Sequence, residues 1–185
     1  YPNDSDKIIA SHLSKFDAIL SSRAEVEPSG RIRQYAITRP RSIEMFRGEK
    51  VICPLWSKSN TFAYDDNDWF AATDVTYLTS KLNNHIPMKL LLAILNSKFV
   101  YVWISYKGKK KGELIELPPQ PISEIPIPEV INNNQEILSA VDEVLSLKQL
   151  DKDNDTAELE SKIDHLVYGV YNLTQNEIEL IEKNA

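Results

Sequence analysis

The apolar run from Leu90 to Trp103 constrains this chain more than any other segment. Met88, Leu91, Leu92, Leu95, Phe99, Val102 and Trp103 recur at helical spacing. Pro87, just ahead, suits a first helical turn because the N–H it lacks would have no partner there. Asn96 and Lys98 interrupt the run, and it falls short of the roughly 20 apolar residues that a membrane-crossing helix requires. The spacing predicts one buried central helix starting at Pro87, and no membrane span.

The other elements must cover that helix. Asp4 or Ser5 can cap a first helix whose apolar stripe runs through Ile8, Ile9, Leu13, Phe16, Ile19 and Leu20, a stripe that needs a partner. After the turn signal Pro28-Ser29-Gly30, alternation predicts a strand from Arg31 to Thr38, then a short helix from Pro40 to Phe46. Lys50 to Leu55 reads as an apolar strand. Asn60–Tyr64 and Trp69–Ala72 read as a hairpin around Asp65-Asp66-Asn67-Asp68, and Val75–Thr79 as a further strand. The proline-rich run from Pro118 to Pro128 is expected to be extended. Three helices should finish the chain, at about Gln135–Leu150, Thr156–Tyr171 and Gln175–Lys183, the last opened by a Thr174…Glu177 capping box. The expected organisation is an N-terminal helix or linker over residues 1–22, a main domain over 23–131 and a helical tail over 132–185.

Net charge is −6, which alone argues against a nucleic-acid partner, yet the charge is unevenly placed. Residues 23–111 hold 15 Lys or Arg against 8 Asp or Glu, while residues 112–185 hold 4 against 16. A basic body with an acidic tail remains compatible with DNA, because phosphate neutralisation is local. The single cysteine, Cys53, sits in an apolar run, reads as a buried inert thiol and fits a reducing cytoplasm. The first residues lack an initiator methionine and a signal pattern, so they read as internal to a longer protein.

Signals for catalysis are weak. His12, His85 and His165 lie far apart, without the spacing of a metal or triad motif. The segment Gly108–Gly112 resembles a phosphate loop in composition only, and the Asp65–Asp68 turn lacks the glycine and distal glutamate of a calcium loop. No catalytic and no metal-binding residue is assigned. What remains is a set of DNA-contact residue types on turns: Arg31, Arg33, Arg39, Arg41, Ser57, Lys58, Ser59, Asn60, Lys107, Lys109, Lys110 and Lys111. Arg and Asn can engage base edges bidentately, whereas Lys and Ser hold phosphates.

Four ordered blocks carry a resemblance. Lys50-Val51-Ile52-Cys53-Pro54-Leu55-Trp56-Ser57-Lys58-Ser59-Asn60-Thr61-Phe62-Ala63-Tyr64 is followed by Phe70-Ala71-Ala72-Thr73-Asp74-Val75-Thr76-Tyr77-Leu78. Then come Leu90-Leu91-Leu92-Ala93-Ile94-Leu95-Asn96-Ser97-Lys98, and Lys109-Lys110-Lys111-Gly112 with Ile125-Pro126-Ile127-Pro128. In this order they resemble the TaqI-like C-terminal specificity domain of restriction-modification enzymes that methylate adenine. The tail Ile163-Asp164-His165-Leu166-Val167-Tyr168 with Tyr171-Asn172-Leu173-Thr174 is similar to the helices that often close these enzymes, so the resemblance spans about residues 23–183. Pro119 and Gln120 depart from the aromatic or basic residues that the family often has there.

The resemblance implies an α+β fold: a curved mixed or antiparallel sheet with packed helices, like half of a type I specificity subunit, plus a C-terminal helical segment. It implies a non-catalytic module that recognises double-stranded DNA beside an adenine-N6 methyltransferase domain of the same polypeptide, possibly with a fused endonuclease. S-adenosylmethionine would bind in that domain, since no cofactor motif occurs in this chain. The alternative is a docking module for the same enzyme, using the acidic helices and reading no bases.

Overall fold

The computed structural model describes residues 4–23, 26, 35–37, 40–71, 73–80, 86–117, 119–129 and 134–185. The chain divides into two compact units, Tyr1–Ser42 and Ile43–Ala185. In the first, the expected helix is two: α1 (Asp4–Leu13), a 3-10 turn at Ser14–Phe16, and α2 (Asp17–Ser21). Phe16 leaves the helical region (φ −112°, ψ 12°), and the Ser14 hydroxyl donates to Ser11 O at 2.8 Å, drawing the chain into the tighter turn. Ile8, Ile9, Phe16 and Ile19 are exposed. The strand expected over Arg31–Thr38 lies outside the described residues except at Tyr35–Ile37, which form a turn and bend.

The second unit opens with a 3-10 turn at Ile43–Phe46, where a short helix was expected. Its strands are β1 (Lys50–Pro54), β2 (Trp56–Ser57), β3 (Ala63–Asp65) and β4 (Val75–Thr79). Helices α3 (Met88–Asn96) and α4 (Lys98–Lys107) follow, then the hairpin β5 (Lys110–Lys111) and β6 (Leu114–Glu116). The chain closes with α5 (Pro119–Ser123), α6 (Gln135–Leu150), α7 (Ala157–Val170) and α8 (Gln175–Asn184). This is an α+β fold with two three-stranded antiparallel sheets, β3-β1-β4 and β2-β6-β5. One strand line feeds both. At Leu55 it switches sheets, its N–H donating to Asp74 O and its carbonyl accepting from Leu117 N, each at 2.8 Å.

Three expectations are corrected. Among the described residues the hairpin expected between Asn60–Tyr64 and Trp69–Ala72 does not form; β3 pairs with β1 instead, Lys50 facing Asp65. Lys50 decides this. Its buried ammonium lies 2.8 Å from Asp65 Oδ2 and donates to Gly48 O and Asn67 O, tying down the turn that follows β3. Phe70 then packs on Phe46, ring centroids 4.7 Å apart, rather than joining a strand.

The proline-rich run is also not wholly extended, since Pro119–Ser123 is helical. Pro119 and Pro121 fall in a first turn, where a missing N–H costs nothing, and buried Ile122 and Ile125 anchor the segment.

The long helix expected from Pro87 is two helices, bent by 66° at Ser97. Ser97 is extended (ψ 153°), and its side chain caps α4 by accepting from Val100 N. Among the described residues no single helix is long and apolar enough to cross a membrane.

One core unites these elements. Leu90, Ile94 and Leu95 of α3 meet Val51 and Cys53 of β1 on one side. Ile137, Val141, Ile163 and Val167 of the antiparallel α6–α7 pair belong to the same cluster. The three closing helices and the capping box, Thr174 with Glu177, form as the sequence predicted. Cys53 is buried as expected, and burial pushes its thiol up to about 11, which keeps it protonated and unreactive.

Candidate nucleic-acid interface

The small sheet β2-β6-β5 brings together two of the segments singled out in the sequence. Trp56 faces Glu116 and Ser57 faces Ile115, while Lys110 faces Ile115 and Lys111 faces Leu114. The loop Ser57–Asn60 and the lysines of the hairpin therefore share one edge of the fold. Lys58 Nζ reaches across to Glu113 Oε2 at 2.8 Å, an exposed pair that solvent screens and a phosphate could displace.

Two glycines make the hairpin possible. Gly108 ends α4, its N–H donating to Ile104 O at 2.7 Å. A Cβ there would meet Ile104 O at 2.8 Å and Glu116 O at 3.1 Å, so only glycine lets helix and hairpin join without a spacer. Gly112 has φ +62°, the left-handed turn between β5 and β6. The result holds Lys109, Lys110 and Lys111 exposed, with no ion pair among the described residues. Lys107 is less free, 3.9 Å from Glu124 Oε2 and 5.5 Å over the Trp103 ring.

Residues two apart in a strand and residues paired across strands share a face, so Trp56, Leu114, Glu116 and Lys111 lie on the outer face, and buried Ile115 with its partners Ser57 and Lys110 on the other, where Ser57 and Lys110 stand at the sheet's margins. Sequence reasoning missed Trp56, Leu114 and Glu116. Strands this short leave too few residues for alternation to register, and only the pairing shows the shared face.

The predicted loop residues divide by role. Ser57 Oγ lies 2.8 Å and Ser59 Oγ 3.2 Å from Thr61 Oγ1, a hydroxyl cluster at the tip beside exposed Lys58. Asn60 turns inward: its amide donates to Leu95 O at 2.7 Å and to Ser97 O at 2.9 Å, the latter also accepting from Tyr101 N–H, so that both carbonyls at the α3–α4 bend are held. Asn96 holds the loop's far end, its side chain bonding both backbone groups of Phe62. Both asparagines thus seat the loop on the central helix.

The same bend is secured from the far side. Lys98 N–H donates to Asp164 Oδ1 at 2.9 Å. Burial lifts the Asp164 carboxyl above the usual range despite that bond. Lys98 Nζ pairs with Glu182 Oε2 at 2.5 Å, and Tyr168 Oη donates to Glu182 Oε1 at 2.8 Å. Lys98 holds the Glu182 carboxyl below its usual range, while burial and that glutamate raise the Tyr168 phenol.

Arg31, Arg33 and Arg39 lie outside the described residues, and Arg41 belongs to the first unit, where it is half-buried.

Residues 23–127 match the family model of the TaqI-like C-terminal specificity domain. The chain belongs to that family. Similar proteins are two type II methyltransferases of Haemophilus influenzae. M.HindII, from strain ATCC 51907 / DSM 11121 / KW20 / Rd, is 33% identical over 98 residues, covering 50% of this chain and 19% of that protein. M.HincII is 36% identical over 72 residues, covering 38% of this chain and 14% of that protein. The matched part of this specificity domain thus spans a fifth or less of each relative. The family match takes in β1 to β6 and α5, the elements that form the basic edge, and leaves α6, α7 and α8 outside it.

Proposed function

We propose that this specificity domain recognises a defined sequence in double-stranded DNA for a restriction-modification enzyme. Its partner is an adenine-N6 methyltransferase domain of the same polypeptide, which binds S-adenosylmethionine and flips the target base. The observation that carries the reading is the joining of the Ser57–Ser59 loop and the Lys109–Lys111 hairpin on one sheet, β2-β6-β5. Lysines supply sequence-independent attraction to phosphate, and the hydroxyls and outer-face side chains between them are available to base edges. The family membership supports the same reading. Asn60 is left out of the contact set because both of its donated bonds go to backbone carbonyls.

The test is retention of a random duplex pool on the full chain at low salt, followed by sequencing of what is held. An enriched motif, with affinity falling steeply as salt rises, is expected. A pool retained without enrichment, or not retained at all, favours a docking module that reads no bases.

A further inference from the structure

The outer face of the β2-β6-β5 sheet carries a pattern that general phosphate binding does not explain. Trp56 and Leu114 are each 36% exposed, and Glu116 lies on the same face, paired with Trp56. Lysines stand at its margins: Lys111 is paired with Leu114, and Lys58 follows β2. Each of these large apolar side chains is mostly covered, but the edge it leaves open to water gains nothing for the fold. A carboxylate beside them repels phosphate, so the middle of this face is suited to base edges and only its borders to the backbone. β-strands can read DNA in the major groove, where thymine alone of the four bases presents a methyl group.

We infer that Trp56 and Leu114 form an apolar contact for the C5-methyl group of a thymine in the recognised site, while Lys58 and Lys111 hold the flanking phosphates. This rests on the proposed function and narrows it: the target contains at least one A·T pair whose thymine methyl faces the outer side of the β2–β6 pair. The contact discriminates by chemistry alone, since uracil differs from thymine by that methyl and keeps the same pairing.

The experiment uses the full chain and the duplex sequence enriched from the random pool, with each thymine replaced singly by uracil. At one position affinity is expected to fall about fourfold, the worth of one methyl group removed from water. In Leu114→Ala or Trp56→Ala the same replacement is expected to change nothing, because the partner surface is already gone. Leu114 is exposed, so its variant should keep the wild-type circular dichroism, and the uracil series on the unaltered chain needs no variant at all. An enriched site whose affinity is indifferent to uracil at every thymine overturns the inference and leaves DNA recognition standing. So does an enriched site of G·C pairs only, or a uracil effect that persists unchanged in both variants. Failure to retain any sequence overturns the proposed function and this contact with it.

Discussion

The carboxamide of Asn96 pairs with the backbone of Phe62 as a neighbouring strand would: Nδ2–H donates to Phe62 O, and Phe62 N–H donates to Oδ1, both at 2.9 Å. Phe62 is buried in the core, so its backbone has no easy substitute partner. Asn96→Ala is expected to lower stability by about 1–3 kcal/mol, measured by urea unfolding followed through tryptophan fluorescence. Asn96→Asp should be no better, because its second oxygen would face the Phe62 carbonyl. A loss under about 0.5 kcal/mol, the scale of an unremarkable surface change, would show that water replaces the amide.

Asn60 makes a contrasting case. Asn60→Ala should reduce stability on the same scale of about 1–3 kcal/mol, yet leave the base preference of the enriched DNA site unaltered, since the residue seats the loop and does not face outward. Ser59→Ala should do the reverse, with an unchanged unfolding midpoint and a relaxed preference. Selection from a random pool with each variant separates the two roles. A shifted motif with Asn60→Ala would return this residue to the contact set.

Replacing Lys109, Lys110 and Lys111 together with Ala should weaken binding to all sequences alike. The slope of log affinity against log salt should fall by about one for each lysine that meets a phosphate. Titrations at several salt concentrations with specific and scrambled duplexes give both quantities. An unchanged slope would remove the hairpin from the phosphate contacts.

How far the sequence discloses this arrangement depends on the range of the interactions. The closing helices and their capping box are local patterns, and they are predicted to within a residue or two. The basic turn is equally plain. Lys50 is not: nothing near it in the chain announces that its ammonium will be buried against Asp65, Gly48 and Asn67, and that one charge converts an expected hairpin into a β1–β3 pair. The bend at Ser97 is illegible for the same reason. It draws on Asn60, 37 positions away, and on Asp164, 66 positions from Lys98. The family blocks mark these residues but do not say that several of them are structural.

Two carboxyls, half-buried Asp65 and buried Asp164, should respond to acid in opposite senses. Burial alone would raise the Asp65 carboxyl, but Lys50 and the Asn67 backbone bring it below the usual range. Its contribution is therefore present above the unfolded aspartate value of about 3.9 and is lost as pH falls through the lower folded value. The Asp164 carboxyl is raised mainly by burial, so it opposes folding while ionised, and that penalty is relieved as pH falls from its raised value towards about 3.9. Comparing unfolding midpoints across this range, Asp65→Asn should remove part of the acid-induced loss, and Asp164→Asn should remove the compensating gain. Lys50→Met alone should cost about 3–5 kcal/mol by stranding the Asp65 carboxylate, and a second change, Asp65→Leu, should restore much of it. Identical acid profiles for wild type and Asp164→Asn would contradict the assignment.

Gly108 joins α4 to the hairpin with no residue to spare, and Ile115 fixes the hairpin from within. Much of what holds this ribbon in place is therefore on one side of it or in its backbone, and the outward Lys111 carries no ion pair among the described residues. Such a ribbon behaves as an exchangeable type slug in a fixed frame. Its outward residues can be rewritten by single substitutions to meet another DNA sequence, and each intermediate in such a series would still fold.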